Sequence, residues 1–81
     1  MTSVSDRVHA LINRQLRARP LTDETLLAED LMFDSIEALE LVLSAEREFV
    51  IELLGDDAER LKTVGDVVAL VEARVSQKAR N

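Results

Sequence analysis

Eighty-one residues, a net charge of −6 and only two aromatic side chains describe a small acidic chain with an aliphatic core. A chain of this length buries a limited core and leaves little room for an enclosed active site. The absence of cysteine excludes a disulfide framework, a cysteine-based zinc site and a cysteine nucleophile. No apolar run is long enough to insert into a membrane and no basic-then-apolar leader is present, so we expect a soluble, cytoplasmic protein.

The charge is unevenly distributed along the chain. Fourteen of the sixteen acidic residues lie between residues 21 and 66, together with only three of the ten basic residues. Such an acidic middle would repel a nucleic-acid backbone and suits a partner with a basic patch. From charge alone, simple solubility of a small protein is the more common explanation, and it stays open.

Apolar residues at helical spacing predict a first helix over about residues 4–18. Ser3 is available as its cap, and Pro20 discourages helix at Arg19. From there to Asp34 the apolar residues lose their period, which predicts a long first loop. So long a connection in so small a domain is often functional, or is held down by its own apolar residues.

The second helix is predicted over about residues 35–50. Asp34 followed three residues later by Glu37 resembles a capping box, which marks a helix start. Helical spacing divides the apolar residues of this helix into two stripes. Periodicity alone leaves open whether the second stripe is additional core or a docking surface. One stripe holds Ala38, Leu41, Val42, Ala45 and Phe49, and the other holds Ile36, Leu39, Leu43 and Val50.

The remaining chain predicts one short and one long helix. Gly55 breaks the chain, after which residues 57–61 can form a short helical turn. A last amphipathic helix is predicted over about residues 64–76, and residues 77–81 are expected to fray. We therefore predict an all-α fold, a small four-helix bundle with a long loop between helices one and two, forming a single domain over residues 1–81.

Ser35 stands where the second helix begins. Free backbone N–H groups and the positive end of the helix dipole at that point favour a bound or attached phosphate. A lone serine or aspartate at a helix start is nevertheless far more often a simple cap than a functional site. Neither Ser35 nor Asp34 supports a functional conclusion by itself.

Five short motifs follow one another in a fixed order: Asp34-Ser35-Ile36, Glu40-Leu41-Val42, Glu46-Arg47-Glu48-Phe49, Ile51-Glu52 and Thr63-Val64-Gly65-Asp66. Together these motifs resemble those of the acyl carrier proteins. Asp-Ser alone is a weak signal, but the ordered set at this spacing is strong, and it runs without gaps from about Glu29 to Val71. The resemblance implies a four-helix bundle in which Ser35 is the attachment point of a prosthetic group.

By this resemblance the cofactor is 4′-phosphopantetheine, moved from coenzyme A to the Ser35 hydroxyl by a phosphopantetheinyl transferase, with Asp34 beside the attachment point. The terminal thiol of the arm would carry an acyl group as a thioester. The protein would be a monomeric carrier rather than an enzyme, with no catalytic residue. Its partners would be acyl-transferring, condensing or acyl-activating enzymes of fatty acid, polyketide or related lipid biosynthesis, with basic docking patches.

The resemblance also places a recognition surface on the second helix and at its start. This assigns the stripe of Ile36, Leu39 and Leu43 to docking and leaves the other stripe as the core. Acidic side chains on such a surface add orientation and encounter rate more than raw affinity. The residues carried over to this chain are Asp34, Ile36, Glu37, Leu39, Glu40, Leu43, Glu46 and Glu48.

Four positions depart from the family pattern. Met32 stands where glycine is common, Ile36 where leucine is usual, Val50 where aspartate is common, and Leu54 where proline is frequent. The region around the arm is therefore more apolar than usual, which suggests a specialised carrier. Met32 also keeps open an alternative, an unmodified carrier-like helical docking or regulatory module, if transferases reject the altered loop.

No metal site and no intrinsic catalysis are predicted. His9 is the single histidine of the chain, and the acids around Asp56 lack the spacing of a calcium loop. A small enzyme acting through aspartate or glutamate has almost nothing in its favour, because so short a chain shows no sign of a cleft.

Overall fold

A computed structural model describes residues 3–16, 22–53, 57 and 59–80. Within these residues the regular secondary structure is helical, with one isolated β-bridge in place of any strand. The predicted all-α class is therefore confirmed.

Three helices have defined bounds. They are α1 (Val4–Leu16), α2 (Ser35–Phe49) and α3 (Val64–Arg80). α1 packs against both other helices, and α2 also contacts α3. None of the described helices is long and apolar enough to cross a membrane.

The core between the helices is mainly aliphatic, as the composition predicts. Val8 and Ile12 of α1, Leu41 of α2, and Val64 and Val71 of α3 are essentially inaccessible to solvent. Burying each such side chain stabilises the fold by roughly 1.5–3 kcal/mol relative to leaving it exposed. The apolar residues that recur at helical spacing therefore mark the face of each helix that packs into this core.

The start of α1 has the predicted cap. The N–H of Asp6 donates to Ser3 Oγ at 3.0 Å, and the N–H of Arg7 donates to the Ser3 carbonyl oxygen at 3.0 Å. These bonds satisfy N–H groups that have no partner within the helix. The end predicted near residue 18 lies outside the described residues, which stop at Leu16 in this part of the chain.

The long loop between α1 and α2 is attached to the start of α3. The N–H of Leu27 donates to the Lys62 carbonyl oxygen at 2.9 Å, and the N–H of Val64 donates to the Thr25 carbonyl oxygen at 2.9 Å. Leu27 is buried, and Phe33 packs against the core at the end of the loop. Backbone pairing and apolar anchors thus hold the loop in place, which fixes the direction from which the chain enters α2.

Asp23 joins this loop to both α1 and α3. His9 Nε2 lies 2.9 Å from Asp23 Oδ1, and the N–H of Gly65 donates to the Asp23 carbonyl oxygen at 2.8 Å. A Cβ atom on Gly65 would lie 2.9 Å from that same oxygen, closer than real side chains approach. The contact between the loop and α3 therefore requires glycine at this position.

The start of α3 is a reciprocal capping box, confirming the predicted helix start at Thr63–Asp66. Thr63 Oγ1 accepts the N–H of Asp66 at 3.0 Å, while Asp66 Oδ2 accepts the N–H groups of Lys62 at 2.9 Å and Thr63 at 3.0 Å. The backbone N–H groups of Lys62 and then Thr63 lower the pKa of the Asp66 carboxyl from its usual 3.8, because they stabilise the ionised form.

The chain between α2 and α3 is described only in part. Asp57 and Glu59 have helical backbone, but residues 54–56 and residue 58 lie outside the described residues. The predicted short helix over residues 57–61, and with it the count of four helices, is therefore not confirmed. Asp57 is buried, and its Oδ2 accepts Arg74 Nη2 at 3.0 Å, which ties this segment to α3.

α3 is longer than the sequence predicts. It continues to Arg80, so the expectation that the chain frays after Ser76 is wrong for residues 77–80. Val75 packs against the core just before this extension, and Arg74 Nη1 donates to Gln77 Oε1 at 3.3 Å. Gln77, Lys78 and Ala79 are all good helix formers, so nothing in the local sequence ends the helix earlier.

Candidate functional site: the start and exposed face of helix α2

Ser35 is the first residue of α2, and its side chain is exposed. The preceding Asp34 has an extended backbone (φ −97°, ψ −179°), and its Oδ1 accepts the N–H of Glu37 at 2.8 Å. The predicted cap therefore forms, and it fixes the point at which the helix begins. A phosphate attached to the Ser35 oxygen would lie at the positive end of the helix dipole, beside free backbone N–H groups.

An apolar cavity of about 220 Å³ opens beside Ser35. Its lining comes from the long loop, from the first turns of α2 and from the chain just before α3. The sequence placed Ala38 and Leu41 on one apolar stripe of α2 but gave no sign that Ala28 and Leu61 lie beside them, because no local pattern connects segments so far apart in the chain. The residues around the cavity are Leu27, Ala28, Phe33, Asp34, Ser35, Ala38, Leu41 and Leu61.

The two apolar stripes of α2 have opposite environments. Leu41 and Ala45 are 1% exposed and lie in the core, as do Val42 and Phe49. On the second stripe, Ile36 is 66% exposed, Leu39 56% and Leu43 47%. The interpretation of the second stripe as additional core is therefore excluded, and α2 presents an apolar surface to solvent.

Three of the predicted docking glutamates lie in different settings. Glu40 is exposed, whereas Glu37 is half-buried and its carbonyl oxygen accepts Gln15 Nε2 of α1 at 3.0 Å. Glu46 Oε2 accepts the N–H of Leu53 at 3.0 Å, so this carboxylate holds the chain that leaves α2. Glu37 and Glu40 thus border the apolar surface with charge, while Glu46 has a structural partner.

Glu48 faces α1 rather than the apolar surface. Its Oε1 accepts Arg14 Nη2 at 2.9 Å and its Oε2 accepts Arg7 Nη2 at 3.4 Å. The hydrogen bond from Arg14, and then that from Arg7, lowers the pKa of the Glu48 carboxyl below its usual value. Arg7 also lies over the ring of Phe49, 4.3 Å from its centroid. Glu48 therefore links α1 to α2 and, with both oxygens so engaged, is a poorer docking residue than the sequence suggests.

The residues that flank α2 have left-handed backbone. Met32 has φ 57° and Val50 has φ 54°, and they are the non-glycine residues of the described chain with positive φ. The left-handed conformation is unfavourable by about 1–2 kcal/mol for a residue that carries a Cβ atom. This explains why glycine suits the position of Met32. Val50 caps α2, where its N–H and that of Ile51 both donate to the Glu46 carbonyl oxygen.

The acids and the histidine of the described chain do not assemble a metal site. No group of three or more aspartate, glutamate or histidine side chains in that part of the chain is placed to hold an ion. Asp30 Oδ2 instead accepts the N–H of Leu26 at 2.8 Å, which shapes the loop before α2. His9 lies against Asp23, as described above.

Known proteins are similar to this chain over most of its length. The family model described as "Phosphopantetheine attachment site" matches residues 6–71. An acyl carrier protein of Amoebophilus asiaticus is 40% identical over 80 residues, covering 96% of this chain and all of the relative. One of Chlamydia trachomatis is 39% identical over 74 residues, covering 89% of this chain and 96% of the relative.

A solved structure agrees in fold as well as in sequence. It comes from Mycobacterium tuberculosis, is provisionally described as an acyl carrier protein, and superposes with a TM-score of 0.84 at 38% identity. The superposition covers 88% of this chain and 97% of that structure. Together with the matched family model and the two relatives, it shows that the chain belongs to the acyl carrier proteins, carrier domains whose prosthetic group is covalently attached 4′-phosphopantetheine.

Proposed function

We propose that Ser35 is the residue that carries the 4′-phosphopantetheine arm, and that the terminal thiol of the arm carries acyl groups as thioesters between partner enzymes. The observation that carries this proposal is the placement of an exposed serine hydroxyl at the first position of α2, directly after its cap Asp34, in a chain of this family. A phosphopantetheinyl transferase would break the pyrophosphate linkage of coenzyme A and join the phosphate that bears the arm to the Ser35 oxygen, releasing adenosine 3′,5′-bisphosphate and the hydroxyl proton.

The local electrostatics suit a phosphodiester at this point. The Asp34 side chain occupies the N–H of Glu37, and the first N–H groups of α2 have no partner within the helix. The helix dipole adds a further favourable interaction with negative charge, worth roughly 0.3–1 kcal/mol at an exposed helix end. Ser35 itself supplies only the acceptor oxygen, since the transferase provides the catalytic groups.

The cavity beside Ser35 supports a role for this protein in sheltering its cargo. It is larger than the ~150 Å³ apolar cavity that accepts a benzene molecule, so it has room for several carbons of an acyl chain. Leu27 and Leu41 form its buried wall, and Ala28 and Ala38 leave the space that larger side chains would fill. Withdrawing the apolar part of the chain from water would favour its storage between transfers.

The exposed stripe of Ile36, Leu39 and Leu43 is the proposed docking surface. Glu40, and the half-buried Glu37, add negative charge beside it. Partner enzymes of fatty acid, polyketide or related lipid biosynthesis with basic patches would match this combination of apolar contact and charge. The cytoplasmic location expected from the sequence belongs to the same proposal, and cell fractionation checks it.

One observation favours a second candidate, an unmodified module that acts by docking alone. The side chain of Met32 is 78% exposed and stands three residues before Ser35, at a position whose left-handed backbone suits glycine. A transferase that reads this loop could reject the methionine. Under that candidate α2 would dock, and Ser35 would stay a simple helix-start residue.

Intact mass spectrometry distinguishes the two candidates. The unloaded protein is incubated with coenzyme A, magnesium ion and a broad-specificity phosphopantetheinyl transferase, alongside Ser35→Ala and the matched control Ser44→Ala on the same helix. We expect a gain of one phosphopantetheine in the wild type and in Ser44→Ala only. Circular dichroism should show that Ser35→Ala remains folded, because alanine is a good helix former at that position.

No mass gain with several transferases, on folded protein, would contradict the proposal and favour the unmodified module. A gain in Ser35→Ala would place the arm elsewhere. Once loading is established, transfer assays with acyl-transferring, condensing and acyl-activating enzymes would identify the pathway, because only true partners should exchange the acyl group with the arm.

A further inference from the structure

Among the described residues, those with large exposed hydrophobic side chains lie on α2 or close to its ends in the sequence. Three of them, Ile36, Leu39 and Leu43, form the exposed stripe of α2. The other two, Met32 and Val50, flank the same helix and are the most exposed of the set, at 78% and 67%. The two flanking residues are also the ones that hold a left-handed backbone despite carrying a Cβ atom.

The fold itself gives no reason for an apolar side chain at either flanking position. Glycine would adopt the left-handed backbone of Met32 and Val50 without hindrance, and neither side chain gains appreciable burial in return. Because exposed apolar patches rimmed by polar residues mark interaction sites, side chains that are unfavourable in the free protein are best explained by contacts in a bound state.

We propose that Met32 and Val50 extend the docking surface at both ends of α2. The extended surface selects a partner whose amphipathic helix lies along the full length of α2. This inference rests on the docking surface of the proposed function. Ile36, Leu39 and Leu43 follow the spacing of three and four residues that matches the apolar face of a second helix. From Ile36 to Val50 such a surface spans about 21 Å, or four helical turns.

The charge around this surface indicates the chemistry of the partner helix. Exposed Asp34 and Glu40, with half-buried Glu37, lie along the first two turns of α2. Near the other end of α2 Arg47 is exposed, and the negative charge of Glu48 is balanced by its ion pairs with two arginines of α1. The partner helix should therefore place its arginine or lysine residues opposite the first half of α2 and mainly apolar side chains opposite the second half.

A synthetic helix provides the probe. It is an 18-residue peptide in which leucines recur alternately three and four residues apart. In one half of the peptide, arginines flank these leucines. A matched peptide has glutamate in place of each arginine. Binding is followed by NMR shifts and by calorimetry on the wild type, on Met32→Gly and Val50→Gly, and on the control Ala69→Ser, which alters an exposed site on α3.

We expect the arginine peptide to bind and to shift the signals of Met32 and Val50 together with those of Ile36, Leu39 and Leu43. Each glycine variant should bind roughly threefold to tenfold more weakly, since each loses part of one apolar contact. The thermal stability of the variants should stay equal or rise. The glutamate peptide should bind poorly, and Ala69→Ser should behave as the wild type.

The proposal is overturned if the arginine peptide fails to bind, if both glycine variants bind it as well as the wild type, or if the shifts stop at Ile36 and Leu43. Concentration-dependent dimerisation through this face would also overturn it, because the occupant would then be a second copy of the chain. Loading of Ser35, measured separately on each variant, keeps a failure of this proposal distinct from a failure of the proposed function.

Discussion

Replacing Gly65 by alanine should loosen the attachment of the long loop to α3. The new Cβ atom would lie 2.9 Å from the Asp23 carbonyl oxygen and 3.1 Å from the Asp23 Cβ. The same oxygen accepts the Gly65 N–H at 2.8 Å, so relieving the clash must lengthen or break this hydrogen bond. The atom in the way belongs to the backbone, and therefore a simple side-chain rotation cannot make room.

Two opposing effects decide how much the Gly65→Ala substitution changes the free energy of unfolding. Alanine is a better helix former than glycine by about 1 kcal/mol in a helix interior, and by less at a helix start such as this one. The clash opposes this gain, because losing the hydrogen bond and leaving its buried groups without a partner costs about 1–3 kcal/mol. It also displaces a loop that is paired to α3 through Val64 and Thr25. We expect Gly65→Ala to be destabilised by about 1–3 kcal/mol.

Thermal and urea unfolding followed by circular dichroism measure this effect. A domain of this size loses about 4–8 °C in Tm for each kcal/mol, so the variant should melt roughly 5–20 °C lower. Ser76→Ala, at an exposed position of the same helix, is the control and should leave Tm nearly unchanged. A variant that melts at or above the wild-type temperature would show that the loop accommodates the Cβ atom, and the close approach would then explain nothing about this glycine.

Three further predictions test other contacts. Asp66→Asn should lower the free energy of unfolding by about 1 kcal/mol at neutral pH. The pKa of Asp66 is depressed in the folded state, so the stability that its carboxylate contributes is complete above the usual pKa of 3.8 and is lost as pH falls through the folded-state pKa. A urea-unfolding series between neutral and acidic pH should show the gap closing, and a constant gap would contradict the linkage. Arg74→Met should lower the free energy of unfolding in urea by about 2–4 kcal/mol, because the buried Asp57 carboxylate loses its guanidinium partner. The loss should be smaller than for a fully buried pair, since Arg74 is partly exposed. A change under about 0.5 kcal/mol would argue that this ion pair is dispensable. Ala38→Leu should leave loading of Ser35 intact but speed hydrolysis of a bound acyl thioester severalfold, as followed by mass spectrometry, because leucine fills the cavity; unchanged hydrolysis would exclude the cavity as the acyl shelter.

Features that depend on residues close together in the chain could be predicted from the sequence. The caps formed by Ser3, Asp34 and the Thr63–Asp66 box follow from side chains that reach backbone groups three residues away. The same holds for the periodicity that divides α2 into two stripes, since helix geometry fixes which residues share a face. Local chemistry thus determined where the helices start and which residue stands at the head of α2.

Local chemistry could not fix where every helix ends. The prediction stopped α3 at Ser76, whereas the helix runs to Arg80 because its last turns contain no residue that stops them. Helix ends depend on weak preferences of single residues, so a prediction from sequence is least certain there.

Only the tertiary structure decided which side chains face each other across the fold. The family resemblance assigned Glu40 and Glu48 to the same docking surface, yet Glu48 is bound by Arg7 and Arg14 of α1, more than thirty residues away in the chain. The need for glycine at position 65 appears only when the loop containing Asp23 approaches α3. These contacts depend on how three helices pack together, and packing places residues in contact without regard to their distance along the chain.

The cavity beside Ser35 shows the same division. The sequence by itself determined that a serine stands at a helix start, because capping and helix geometry act within one turn. The lining of the space beside that serine includes Leu27, Ala38 and Leu61, which belong to three separate segments. Its existence depends on the volumes of side chains brought together by folding, and only the tertiary structure could decide it.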